Sequence, residues 1–213
     1  MNDEERFFKL EVNFGRSSLN FYNSFKKIDF ANFEEELSYF PVDIKLYEVY
    51  YQDDDNDEQD DNKELIATID GIFYDMDYAY DYGLNLFNIF DMENGDTALI
   101  YDALFDGNRK IKEKYRTYNN NIFYLDRIYV EKKYRNKGYA KLLLNQLDDI
   151  VKYMAKLNVG IIVVCSQPFE KEGEEQKMIT DDKKLQEKLN LLYKSAGFKK
   201  TNNEYNYLVK VIE

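Results

Sequence analysis

The sequence predicts an α/β fold, a sheet flanked by helices. Three observations predict it. Asn121–Val130, Gly138–Leu157 and Val159–Cys165 read in order as strand, amphipathic helix and strand, a βαβ unit with a right-handed crossover. Arg6–Phe14, Val42–Tyr51 and Leu65–Tyr74 read as further strands. No internal repeat and no linker-like composition interrupts the chain, so one domain over residues 1–213 is expected.

In the first half, Ser17 and Ser18 can cap a helix running through Leu19, Tyr22 and Phe25 toward Leu37. Pro41 closes that region. In Val42–Tyr51 the apolar residues are Val42, Ile44, Leu46 and Val49, an alternation with one slip of register. Asp53–Asn62 (DDDNDEQDDN) repels itself and is expected to be a solvated hairpin loop. Its Asp53, Asp55, Asp57 and Glu64 imitate calcium-loop spacing. However, Glu58 stands where the sharp turn needs glycine, and Asp60 where an aliphatic anchor belongs, so no metal is expected.

A helical insertion is expected over residues 81–116. Leu84, Phe87 and Phe90 or Asp91 mark one short helix, and Leu99, Tyr101 and Leu104 a second, with Gly95 and Gly107 as punctuation. Lys110–Asn121 reads as a polar loop.

The second half is clearer. Leu143, Leu147, Ile150 and Met154 form the apolar stripe of the Gly138–Leu157 helix. Val159–Cys165 is apolar throughout, as suits a strand covered on both faces. Thr180 can cap a last helix with Leu185, Leu189 and Leu192 on its buried side, and Gly197 stops it. Tyr205–Ile212 is the closing strand.

Composition restricts the chemistry. The 213 residues include no histidine and a single cysteine, Cys165. Ser-His-Asp triads, Cys-His dyads and histidine-bearing zinc sites are therefore excluded. Catalysis is left to carboxylate, tyrosine, lysine, backbone amides or water. Cys165 reads as inert packing. A net charge of −12 argues against general nucleic-acid binding and would attract cations. No apolar run approaches the ~20 residues that span a bilayer, and the acidic start lacks a secretory pattern, so a cytoplasmic chain without a membrane partner is expected.

One turn stands out. Between the strand ending at Val130 and the next helix lies Glu131-Lys132-Lys133-Tyr134-Arg135-Asn136-Lys137-Gly138-Tyr139-Ala140. With Arg127 and Lys141 it gathers six basic side chains against one acid, Glu131. A helix N-terminus leaves amides unpaired and favours anions. Gly138 offers no side chain to block a phosphate. The plainer reading is a solvated basic loop.

Arg135-Asn136-Lys137-Gly138-Tyr139-Ala140 resembles the Gln/Arg-x-x-Gly-x-Gly/Ala pattern of the GNAT (GCN5-related N-acetyltransferase) family. Its setting strengthens the likeness: a strand before it, an amphipathic helix, an apolar strand, and a second helix ending Tyr193-Lys194-Ser195-Ala196-Gly197-Phe198. The resemblance covers about residues 121–212. It implies a GNAT fold, a central mixed sheet of six or seven strands, and acetyl transfer from acetyl-CoA to an amine. It further implies that amides around Lys137, Gly138, Tyr139, Ala140 and Lys141 hold the diphosphate. Ile128, Tyr129 and Val130 would form the strand that pairs with pantetheine. Adenine and the ribose phosphate would lie near Lys132, Lys133 and Arg135, and Asn136 also counts among the donor-binding residues. Residues 1–120 are the divergent half, and homodimerisation is a family habit.

An attacking amine must be neutral, yet amines titrate near pH ~10, so a base is useful. Asp126 is the candidate, through a water; pairing with Arg127 is its alternative role. Tyr193 is the candidate donor to the departing thiolate; a core tyrosine is the alternative. The competing function is a catalytically weak acyl-CoA-binding or protein-interaction module, including one whose acidic half sequesters a basic partner.

Overall fold

The computed structural model describes residues 7–15, 38–50, 62–91, 95–172, 175–179, 182–201 and 206–212. The expected helix from Ser17 to Leu37, the acidic residues 53–61 and the Thr180 cap lie outside them.

Seven strands form one mixed sheet in the order β1-β2-β3-β4-β5-β9-β8. They are β1 (Phe7–Phe14), β2 (Tyr39–Tyr50), β3 (Asn62–Tyr74), β4 (Ile122–Val130), β5 (Ile161–Cys165), β8 (Lys199–Lys200) and β9 (Tyr207–Val211). A separate hairpin, β6 (Phe169–Glu172) with β7 (Glu175–Met178), follows β5. Only β4 and β5 pair in parallel among these neighbours. Both halves of the chain thus contribute strands to the same sheet.

Helices cover each face. Met76–Asp81 (α1), Leu86–Asp91 (α2) and Gly95–Leu104 (α3) precede β4; Tyr139–Asp149 (α4) and Lys183–Ser195 (α5) follow it. Alternation along β5 shows the two cores directly. Ile162 and Val164 pack with Leu143, Leu144 and Leu147 of α4 and Tyr193 of α5. Ile161 and Val163 pack with Met76, Ile89, Phe90, Ile100 and Leu104 of α1–α3. All four β5 residues are buried, which accounts for the unbroken apolar run.

Several expectations need correcting. The helical insertion begins at Met76, where Asp75 caps α1 by accepting from Tyr78 N at 2.9 Å. The buried residues of α2 are Leu86, Ile89 and Phe90, with Phe87 exposed. In α3, Ile100, Ala103 and Leu104 are buried rather than Leu99 and Tyr101. Such short helices give too little periodicity to fix their phase. The segment from Lys110 includes a 3-10 turn, Glu113–Tyr115, and buries Ile111 and Tyr115.

Pro41 lies inside β2, opposite Ile72. Its carbonyl accepts from Gly15 N at 3.1 Å, so its donorless side faces the end of β1, and β3 loses no hydrogen bond. Met154 is 48% exposed because α4 loosens into a π-helical turn, Ile150–Met154, which rotates it off the buried stripe. The last helix is capped by Asp182, accepting from Leu185 N at 3.0 Å. Gly197 ends it at φ +93°, as its position suggested.

β2 shows no slip. It buries Val42, Ile44, Leu46 and then Glu48, leaving Val49 half-buried. The irregularity sits in β3, where the partners pass from Leu46↔Ala67 to Tyr47↔Leu65 and Ile66 is the extra residue.

A second bulge shapes the centre of the sheet. Asp70 faces Arg127 but Gly71 faces Leu125, so Asp126 is the extra residue of β4. A Cβ on Gly71 would come within 2.4 Å of Phe123 Cζ and 2.8 Å of the Tyr124 carbonyl oxygen. Gly71→Ala should therefore destabilise the fold by about 2–3 kcal/mol, because a main-chain oxygen cannot step aside as a side chain can. Thermal unfolding checks this; a midpoint within a degree or so of wild type would refute it.

Among the described residues no helix is long and apolar enough to cross a membrane, and no group of three acidic, cysteine or histidine side chains could hold a metal ion. Glu64, the last position of the calcium-like spacing, is part of β3 and accepts a hydrogen bond from Tyr134.

Candidate active site

The site begins where β4 and β5 part. Their pairing runs from Ile122↔Ile161 to Leu125↔Val164 and stops, while β4 stays paired with β3 as far as Val130↔Ala67. Among the described strands, none pairs with the β5-facing edge of residues 126–130. Glu131 N donates to Ile66 O at 2.9 Å, on the β3 side. By the two-residue repeat, the main-chain groups of Tyr129 face β3 as well, and those of Ile128 and Val130 face the gap.

At the end of that edge the chain makes a 3-10 turn, Lys132–Tyr134, and then enters α4. Asn136 and Gly138 have φ of +61° and +91°. This curled backbone is the kind that gathers successive amides into an anion-binding concavity. Gly138 is the N-cap of α4, with no side-chain cap bond. A Cβ on it would meet no atom within 4 Å, so it opens onto free space.

That space is a cavity of about 430 Å³. Of the ten residues expected to bind the donor, nine line it: Ile128, Tyr129, Val130, Arg135, Asn136, Gly138, Tyr139, Ala140 and Lys141. Lys137 does not; its Nζ lies over the Tyr134 ring, 5.1 Å from the centroid. Lys132 and Lys133 are not lining residues either, and Lys133 is ion-paired with Glu64. Arg135 lies across the mouth, its Nε donating to Val130 O at 3.0 Å and its guanidinium 5.2 Å from the Tyr129 ring centroid.

Sequence reasoning missed part of the wall. Tyr134, Gln167, Pro168 and Phe169 line the cavity, as do Leu185, Leu189 and Leu192. The three leucines form the apolar stripe expected of the last helix; their period gives the face but not what it faces. The loop after β5 is pinned by Gln186 of α5, whose Nε2 bonds the carbonyl oxygen of Ser166 and its Oγ, the latter at 3.1 Å.

The two proposed catalytic residues do not line the cavity. Asp126, on the bulge two residues inward from Ile128, is half-buried and ion-paired, with Arg127 Nε 3.1 Å from its Oδ2. Tyr193 follows the lining Leu192 and is 3% exposed, edge-on to Phe198 with ring centroids 5.6 Å apart. Burial pushes its hydroxyl well above the usual phenol range, reinforced by charge on Cys165 and Asp126. Tyr193, Cys165 and Asp126 are thus electrostatic neighbours. Tyr193 keeps its proton throughout the neutral range.

An opened parallel edge running into a helix N-terminus has the shape that suits a long donor with a diphosphate at one end, such as coenzyme A. Residues 105–200 match the family model described as "Acetyltransferase (GNAT) domain". That segment is similar to a GNAT acetyltransferase domain, and the likeness supports an acetyl-CoA-dependent acyltransferase. No curated protein matches the sequence. Among solved structures it is similar to that of a KacTA–DNA complex (TM-score 0.39, 12% identity, covering 95% of this chain and 93% of that one). It is also similar to AtaTR bound with AcCoA (0.37, 10%, 95% and 93%) and to AtaT complexed with acetyl-methionyl-tRNAfMet (0.38, 12%, 96% and 95%).

Proposed function

We propose that the protein is an N-acetyltransferase that passes an acetyl group from acetyl-CoA directly to a primary amine, with cationic acceptors favoured. The observation that carries this reading is the continuity of the gap at Ile128–Val130 with the amide turn at Gly138. An extended pantetheine arm and its diphosphate need those two features in that order. The chain's charge of −12 favours a polyamine, an aminoglycoside or a lysine-bearing peptide over a polyanion. By the same reasoning the charge disfavours nucleic acid as a partner. We further read residues 1–213 as one domain and the chain as able to dimerise.

In the reaction an N–C bond forms, the C–S bond breaks and the amine loses a proton. The Ile128 amide faces the gap and can stabilise the oxyanion. Asp126 receives the amine proton through a water. Its pairing with Arg127 fixes the direction of the carboxylate. Tyr193 gives a hydrogen bond to the departing sulfur. Because a thiolate is a much weaker base than this phenolate, the proton stays on Tyr193 and the stabilisation is electrostatic.

A second reading, an acyl-CoA-binding module with weak catalysis, is favoured by the same Asp126–Arg127 pair, which engages the carboxylate within the protein. Incubation with acetyl-CoA and a panel of amines, peptides and aminoacyl-tRNA, with mass detection and assay of released thiol, tests both. Acetylated amine with stoichiometric thiol is expected. Tight CoA binding without thiol release over the whole panel would favour the second reading.

A further inference from the structure

Glu48 is a glutamate in a core position, 6% exposed. The register places it directly opposite Glu64 of β3. Like charges facing across two strands repel, and a buried carboxylate is costly. Between them stands the Tyr134 hydroxyl, 2.9 Å from Glu48 Oε2 and 2.9 Å from Glu64 Oε2. Tyr50 Oη donates to the same Glu48 oxygen at 2.8 Å. Lys133 pairs with Glu64.

A phenol has one hydrogen to give. Tyr134 can donate to one carboxylate, and the other contact needs a hydrogen on the carboxyl. The count closes with one extra proton, and burial assigns it to Glu48. Tyr50 then donates to Glu48, Glu48 to Tyr134, and Tyr134 to the Glu64 carboxylate, which Lys133 neutralises.

We propose that Tyr134 is a positioning residue for the acetyl-CoA phosphates, fixed in place by one proton retained between Glu48 and Glu64. The inference rests on the reading of the Gly138 turn as the phosphate site. Tyr134 ends the 3-10 turn, lines the donor cavity, and lies edge-on to Tyr139, the first residue of α4, with ring centroids 5.8 Å apart. Lys133 and Lys137 cover its ring at 4.9 and 5.1 Å. It therefore ties both ends of the amide turn to the β2–β3 hairpin.

The neighbouring charges are Lys63 of β3, bound to Glu11 of β1 and lying over Tyr47 of β2, together with Lys133 and Lys137 of the turn. Raising the pH removes the shared proton and leaves Tyr134 between two anions with one hydrogen to offer. The neutral-carboxyl contribution is present at low pH and lost as pH rises, so donor affinity falls toward alkaline pH.

Calorimetry with CoA from about pH 6 to about pH 9 tests this. Wild type should weaken about tenfold over that range. Glu48→Gln keeps the volume, cannot ionise, and can give its two amide hydrogens to the Tyr134 and Tyr50 hydroxyls that share one Glu48 oxygen; its affinity should be close to that of wild type at low pH and stay flat. Tyr134→Phe should raise KM for acetyl-CoA about tenfold with kcat within about twofold. Should Tyr134→Phe fail to fold, the profiles of wild type and Glu48→Gln decide alone. Coincident profiles, or an unchanged KM in Tyr134→Phe, would overturn the role of Tyr134 and leave the phosphate site standing. Wild type that binds no CoA at any pH would bring down both.

Discussion

Gly138→Glu should abolish acetyl-CoA binding, a loss of at least about a thousandfold, without unfolding the protein. Two effects add. A Cβ at φ +91° costs about 1–2 kcal/mol of backbone strain. The larger effect is that the side chain enters the space a diphosphate needs and brings a negative charge to amides that otherwise await one. Since an added Cβ meets nothing within 4 Å, the native packing survives. Gly138→Ala separates the effects, because it keeps the strain and part of the obstruction but adds no charge; an intermediate affinity is expected. Calorimetry with acetyl-CoA reads the affinity, and thermal unfolding reads the fold. Normal affinity in the glutamate variant would remove the Gly138 turn from donor binding.

Tyr193→Phe should lower kcat about 100-fold, the usual cost of losing one preorganised donor to a developing charge. KM for acetyl-CoA should stay within about twofold, since Tyr193 does not line the donor cavity. Phenylalanine keeps the edge contact with Phe198 and the burial, so stability is expected to hold. Steady-state thiol release against the best acceptor supplies both constants. Unchanged turnover would reduce Tyr193 to a core tyrosine, the alternative its position at the end of α5 always allowed.

The C-terminal strands and helices were legible because β5 is apolar on both faces and α4 carries a stripe long enough to set its phase. The lining of the cavity was legible for a related reason: a glycine, a basic turn and a helix start fall at fixed spacing, so nine of the ten named residues come together in space. The rest was hidden by tertiary effects. Glu48 takes an inward place in preference to the apolar Val49, which alternation alone cannot foresee, because its partners Tyr50, Glu64 and Tyr134 meet only in the folded sheet. Met154 misses its stripe through a π-turn. Gly71 sits unmarked in LIATIDGIFY, although its missing Cβ admits Phe123 and so permits the bulge at Asp126. The hairpin of Phe169–Glu172 with Glu175–Met178 carries no turn signature in the sequence beyond Gly173.

The basic side chains of the phosphate turn are largely spoken for within the protein. Lys133 is committed to Glu64, Lys137 to an aromatic face, and Arg135 to a carbonyl and a second ring. A tally of cations along this loop therefore overstates the field a ligand would meet. On the proposed reading a diphosphate would meet the peptide skeleton itself, because Lys133 and Lys137 pack over the Tyr134 ring and do not line the cavity.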